Sequence, residues 1–209
     1  MSESAPTREV ARRAFAAEFN DASYTFKESD DERAPVYSLL PTGERANRVF
    51  AVGTLTETED VGDDSEYWRG RVVDPTGTFF SYAGQYQPEA ASALRETETP
   101  AYVAVVGKPR TYETDEGDTN VSLRPESITV VDAATRDRWV VETAERTLER
   151  IEAFEGAASE TSEGDEATVP GEYAAMAETQ YDPDLSVYRD RVVSALEDLE
   201  EDAEVAAEA

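Results

Sequence analysis

The chain has 209 residues, of which 47 are Asp or Glu and 19 are Lys or Arg, a net charge of −28. It contains no cysteine and no histidine, which excludes disulfides, zinc ribbons and thiol chemistry and removes the usual general base and the commonest transition-metal ligand. No apolar run approaches the roughly 18 residues of a membrane span, and residues 1–8 lack a signal-peptide core, so a soluble cytoplasmic protein is expected.

Only two of the basic residues are lysines, Lys27 and Lys108, and only two isoleucines occur, Ile128 and Ile151. Many carboxylates with few lysines suit a protein bathed in concentrated salt, where the Debye length falls to about 3 Å at 1 M and self-repulsion is screened. The composition therefore reads as that of an extreme halophile; an acidic partner-binding protein of an ordinary cell is the alternative. The charge does not decide against nucleic acid. In molar salt the Coulombic part of such binding is mostly lost, while base stacking, worth roughly 1–3 kcal/mol per base, survives.

Residues 7 to about 20 carry Val10, Ala11, Ala14, Phe15 and Phe19 at helical spacing. Residues 21–48 are mixed: Tyr24, Phe26, Val36, Tyr37 and Leu39–Leu40 flank the acidic run Glu28–Glu32 and predict short extended pieces. Residues 1–47 are thus expected to form a helix and an extended segment packed on a barrel over 48–131.

From 48 to 131 the pattern becomes strands and turns. Residues 49–55 alternate around Gly53, where a barrel strand can bend, and 56–65 form an acidic turn. Next comes a hairpin. Trp68, Gly70 and Val72 share one face of its first arm, and Tyr67, Arg69 and Arg71 share the other. The turn is Asp74-Pro75-Thr76-Gly77, and in the second arm Phe79, Ser81 and Ala83 alternate against Thr78, Phe80 and Tyr82. A short helix is expected over 87–96, then strands over 101–106, 120–124 and 128–131. Trp68, Phe79 and Val72 are expected in the core. Three strands, a helix and further strands is the order of a five-stranded oligonucleotide-binding (OB) barrel. A run of five short strands also suits an SH3-like barrel, and the placement of the helix favours the OB reading.

Beyond 131 the pattern is helical. Trp139, Val140, Ala144, Leu148, Ile151 and Phe154 mark a helix over 132–155, with Trp139 expected to pack it on the barrel. Residues 156–171 read as an acidic, disordered linker and 172–209 as an acidic amphipathic helix. That final helix opens at Asp182-Pro183-Asp184, and Leu185, Tyr188, Val192, Leu196 and Leu199 form one apolar seam. The seam either packs back on the barrel or, coming after a linker, docks in a partner's groove; the second is expected. The charge is uneven: residues 45–110 hold seven basic and ten acidic side chains, residues 155–209 two basic and seventeen acidic.

Four runs, Arg48-Val-Phe-Ala-Val-Gly-Thr-Leu, Tyr67-Trp-Arg-Gly-Arg-Val-Val-Asp-Pro-Thr-Gly-Thr-Phe, Tyr102-Val-Ala-Val-Val-Gly-Lys-Pro-Arg-Thr-Tyr and Ser122-Leu-Arg-Pro-Glu-Ser-Ile, carry a likeness. With the segments at 16–21 and 28–35, the chain resembles, over roughly 8–155, the replication protein A (RPA) family of haloarchaea, and within it the RPA-associated OB-fold proteins. The resemblance implies a single OB barrel handling single-stranded DNA in replication or repair beside an RPA subunit. Relatives with zinc fingers exist in the wider family, and this chain, without cysteine or histidine, departs from them.

The candidate site residues fall into two sets. Arg69, Arg71, Phe80 and Tyr82 share a surface that would stack unpaired bases, unless a flanking helix covers it. Lys108, Arg110 and Tyr112 fall where RPA-like barrels carry a DNA-clasping hairpin, although the loop here is acidic. Asp63-Asp64 and Asp115-Glu116 read as ordinary acidic turns, so no metal and no cofactor are expected. No Gly-rich phosphate loop or nucleophile–base pair appears, so catalysis is not expected either; a nuclease built on clustered carboxylates is a distant alternative. The two functional expectations are direct binding of single-stranded DNA with an RPA subunit, and a protein-interaction module that docks on RPA without touching DNA.

Overall fold

A computed structural model describes residues 9–114, 117–160 and 170–208. In chain order its elements are β1 (Arg12–Arg13), α1 (Ala16–Asp21), β2 (Thr25–Lys27), β3 (Val36–Leu40), β4 (Glu44–Ala46), β5 (Val49–Asp60), β6 (Trp68–Asp74), β7 (Gly77–Ala83), α2 (Pro88–Glu96), β8 (Ala101–Glu113), β9 (Thr119–Val130), α3 (Ala133–Glu160), α4 (Pro170–Tyr181) and α5 (Leu185–Glu208).

Five strands close into a barrel because β5 is shared. Its first half, residues 49–55, pairs antiparallel with β8, and its second half, residues 54–60, pairs antiparallel with β6. The strand must turn sharply between its two partners, and a Cβ at Gly53 would lie 2.5 Å from the Val73 carbonyl oxygen. β6 pairs with β7, β8 with β9, and β7 meets β9 in parallel at Ser81 and Leu123, which completes the circuit. This is a five-stranded OB barrel with its helix α2 between the third and fourth barrel strands.

Period-two alternation fills the interior with Leu55, Val72, Phe79, Ala83, Val103, Val105 and Leu123, joined by Leu94 of α2. The other end is plugged by Phe15 and Phe19. Phe19 meets Phe79 edge-on with ring centroids 5.9 Å apart, and Phe15 meets Trp139 of α3 at 5.3 Å. The Asp74–Gly77 turn explains why the chain enters α1 there. Asp74 accepts the Ala16 N–H at 2.6 Å and Thr76 Oγ1 accepts the Ala17 N–H at 3.0 Å, so two side chains of the hairpin cap a helix remote in sequence.

The strands β2, β3 and β4 form a separate antiparallel sheet, the extended pieces expected over 21–47. Leu39 of this sheet packs with Phe154, Tyr173, Ala174 and Ala177 of α3 and α4 in a second core. A buried ion pair welds the two cores. Glu18, 1% exposed, binds Arg150 of α3 at 2.6 Å; Arg150 also donates to Thr42 Oγ1 at 2.8 Å and to the Arg13 carbonyl at 3.3 Å.

Several sequence expectations change. The helix expected from residue 7 is confined to α1, because Arg12 donates its N–H to the Arg48 carbonyl at 2.8 Å and β1 joins β5 in parallel; residues 7 and 8 lie outside the described residues. The strand expected over 101–106 runs on to Glu113. The two pieces at 120–124 and 128–131 are one strand, because a register shift beside Gly107 absorbs the irregularity at Pro125. The helix expected to end at 155 continues to Glu160. Of the linker, residues 156–160 are helical, Pro170 and Gly171 open α4, and 161–169 lie outside the described residues. The single helix over 172–209 is two, α4 and α5, separated where Asp182 takes a positive φ of 45° and Asp184 caps Ser186; residue 209 lies outside the described residues.

The seam of α5 is not a free docking surface. Tyr188 and Val192 are buried, Leu196 and Leu199 pack against the barrel core, and Leu185 joins the second core. Tyr188 donates its hydroxyl proton to Asp21 at 2.8 Å, and Arg191 donates to the Thr76 carbonyl at 2.9 Å. From sequence alone an apolar stripe beside a linker reads as detachable; the hydroxyl and guanidinium that flank it fix it in cis. Among the described residues no helix is long and apolar enough to cross a membrane.

Candidate nucleic-acid interface

The antiparallel register of β6 and β7 sets Arg69 opposite Tyr82 and Arg71 opposite Phe80. Their neighbours Gly70, Val72, Phe79 and Ser81 are buried, so the four named side chains stand on the outer surface, as the alternation predicts. Trp68, expected in the core, packs at its rim and keeps partial exposure; its indole N–H finds no acceptor among the described residues.

Among the described residues the hydrogen bonds, ion pairs and ring contacts of Arg69, Arg71, Phe80 and Tyr82 all run to strand residues or to Tyr67 in the turn before β6. α1 and α2 approach the hairpin from its inner side, through Phe19 on Phe79 and Leu94 against Gly70.

The two arginines differ. Arg69 is neutralised by Glu59 at 2.5 Å and lies 5.6 Å from the centre of the Phe80 ring, so it offers a guanidinium plane more than a charge. Arg71 has no carboxylate among the described residues; it donates to Thr56 Oγ1 at 3.0 Å and to Thr78 Oγ1 at 3.5 Å. Tyr67 stacks on Tyr82 with centroids 5.7 Å apart and planes 21° from parallel. Burial pushes the Tyr82 phenol above its ordinary pKa, the neighbouring Tyr112 hydroxyl adds to the rise, and Arg69 opposes it.

The second set joins the first through that tyrosine. Tyr112, 46% exposed near the tip of the β8–β9 ribbon, interacts with Tyr82 of β7. Lys108 and Arg110 lie four and two residues back on β8, on the same alternation. β8 leaves β5 after Gly107, so Lys108, Arg110 and Tyr112 stand on a two-stranded arm extending past the barrel wall. The acidic pair Asp115-Glu116 lies outside the described residues.

Two contributors fall outside the candidate set named from sequence. Tyr67 shares the parity of Arg69, and that parity is the signal that finds it. Arg124 sits opposite Lys108 on β9, and its position beside the inward Leu123 is the available signal. Among the described residues no group of three or more His, Cys, Asp or Glu is placed to hold a metal ion.

The strand order and the open outer face define the class: an OB barrel presenting aromatic rings and arginines on its second and third strands. No protein-family model matches the chain, and no curated protein matches it. Solved structures with similar folds include the mitochondrial single-stranded DNA binding protein Rim1 of S. cerevisiae, 22% identical, covering 41% of this chain and 92% of that one with a TM-score of 0.32. The yeast Stn1 and Ten1 structure is 13% identical over 55% of this chain and 58% of that one, TM-score 0.40. OBody AM3L15, bound to hen egg-white lysozyme, is 13% identical over 60% and 93%, TM-score 0.39. At these values the fold assignment rests on strand order and register.

Proposed function

We propose that this protein binds single-stranded DNA on the outer face of β6 and β7, acting without catalysis beside an RPA subunit in the replication and repair of a haloarchaeal cell. The observation that carries the reading is the composition of this outer face. Phe80 and Tyr82 stand opposite Arg71 and Arg69, among the described residues their ring and polar contacts run to strand residues and Tyr67, and Tyr112 of the β8–β9 arm meets Tyr82 from the side. Bases stack on such rings at roughly 1–3 kcal/mol each, and this attraction persists in the salt that the acidic surface is suited to. The haloarchaeal setting and the RPA partner rest on the composition and on the motif resemblance over residues 8–155.

One observation favours the second reading, an interaction module that meets RPA and not DNA. In the free protein Tyr67 covers one face of Tyr82, and Glu59 neutralises Arg69. A base must then stack on the outer side of this group or displace Tyr67.

Tryptophan fluorescence separates the two. Trp68 borders the site, paired with Ala83 next to Tyr82, whereas Trp139 is buried behind the barrel. Oligo-dT in about 2–3 M KCl should quench the protein, and Trp68→Phe should remove the signal while binding persists. Absence of binding by the folded protein, with co-elution of an RPA subunit in the same salt, would favour the interaction module.

A further inference from the structure

Three cations lie together on the β8–β9 arm of this acidic chain. Lys108 and Arg124 are direct partners across the antiparallel ladder, and Arg110 lies two residues beyond Lys108 on the same side of β8, opposite Ser122. Like charges directly opposite in a sheet are destabilising. Yet among the described residues none of the three forms an ion pair with a carboxylate, unlike Arg12, Arg13, Arg45, Arg48, Arg95 and Arg150; Lys27, Arg33, Arg138 and Arg191 also lack one, but only these three lie side by side on one ribbon. Glu126, whose charge opposes the lowering of the Lys108 and Arg124 pKa values, is itself bound by Arg48 at 2.7 Å. Partial burial holds Lys108 below its ordinary pKa, and Arg48, Arg124 and Arg110 push the same way; burial and then Arg110 lower Arg124. The positive charge is concentrated and self-repelling.

The arm also has a direction. Ser81 of β7 and Leu123 of β9 pair and both are buried, so Phe80 and Tyr82 on one strand and Arg124 on the other flank that contact on the outside. Arg124 therefore stands between the aromatic rings and Lys108. Successive outward residues of β8 are roughly 6.8 Å apart, a stride suited to neighbouring phosphates of an extended strand.

We propose that Lys108, Arg110 and Arg124 form a phosphodiester track, along which a single strand lays its backbone while its bases turn toward Phe80 and Tyr82. This rests on the single-stranded DNA reading and adds to it Arg124 and the orientation of the strand. An acidic protein segment could satisfy the same charges, but the rings beside them favour a ligand with bases between its anions.

The test is an anisotropy titration with labelled oligo-dT at several KCl concentrations between about 1 and 3 M, with circular dichroism checking the fold. For single strands each phosphate contact contributes roughly 0.7 to the slope of log affinity against log salt. The combined Lys108→Gln, Arg110→Gln, Arg124→Gln variant should bind more weakly and lose about 2 from that slope, by the same scaling. Phe80→Ala with Tyr82→Ala should weaken binding and leave the slope unchanged. A triple variant with the wild-type affinity and slope, while the wild type binds, overturns the track and leaves the DNA reading standing. No binding by the folded wild type overturns the DNA reading and the track with it. Poly-glutamate bound by the wild type in place of oligo-dT, and lost in the triple variant, would assign the cations to an acidic protein partner and overturn the track.

Discussion

The junction of α1, α3 and the small sheet and the outer face of the barrel use arginine in opposite ways. At the junction Arg150 meets Glu18 at 2.6 Å and Glu44 at 3.5 Å and also donates to Thr42, Thr147 and the Arg13 carbonyl. On the barrel face Arg71, Lys108, Arg110 and Arg124 find no carboxylate among the described residues, although Asp and Glu outnumber Lys and Arg by 47 to 19 in the chain. Elsewhere among the described residues Arg12, Arg13, Arg45, Arg48, Arg95 and Arg150 pair with carboxylates, while Lys27, Arg33, Arg138 and Arg191 do not. A cluster of cations without such pairs among the described residues, beside the half-buried rings of Phe80 and Tyr82, marks a surface suited to an anion from outside the chain.

Breaking the junction should have the largest effect. Arg150→Met strands the Glu18 carboxylate in the core and should cost about 3–5 kcal/mol in denaturant unfolding, whereas Arg124→Gln should change stability by less than about 0.5 kcal/mol. Asp74→Ala comes next. It removes the acceptor of the Ala16, Thr76 and Gly77 N–H groups at the turn that caps α1, and should cost about 2–3 kcal/mol. Because that turn joins β6 to β7, loosened binding should accompany the lost stability.

The tyrosines that tie the C-terminal helices down make the junction sensitive to base. Burial, with Glu28 as a hydrogen-bond partner, raises the Tyr173 phenol to about 12, and burial raises Tyr181 to about 12. Burial and then the bond to Asp21 raise Tyr188 as well. A phenol whose pKa is raised by folding contributes stability that is complete below the unfolded value, about 10, and is lost as pH climbs through the folded value. Unfolding midpoints should therefore be flat up to about pH 10 and fall above it. Tyr188→Phe should lower the plateau by about 1 kcal/mol and make the alkaline fall shallower. The smallest effect sharpens the other side of the comparison. Glu59→Gln frees Arg69 from an exposed pair, so stability should move by less than about 0.5 kcal/mol while oligo-dT affinity rises a few-fold.

The parts of this architecture written in alternation are legible in the sequence. The order of Trp68 to Val73 and of Thr78 to Ala83 assigns every side chain of the hairpin to its face. Pro88 and Leu94 bound α2, and Trp139 packs α3 on the barrel, its Nε1–H donating to the Phe50 carbonyl at 3.3 Å. What escapes depends on partners distant in sequence. Arg12 and Arg13 join a sheet because the Arg48 carbonyl waits for them, a contact that local helical periodicity cannot register. The seam of α5 is closed by Asp21 and Thr76, more than a hundred residues away. Pro109 and Pro125 suggest strand ends, yet the paired strands run past both. Arg124 escapes because its meaning arises only when β9 brings it against Lys108.

The most direct test of the face is a titration of labelled oligo-dT with the intact protein and with Phe80→Ala/Tyr82→Ala in about 2–3 M KCl. Saturable binding by the intact protein is expected, weakened about 30-fold or more in the double variant if each ring carries at least ~1 kcal/mol of stacking. Equal affinity of the two proteins, or no binding by the folded intact chain, would contradict a role for the β6–β7 face as a platform for single-stranded DNA.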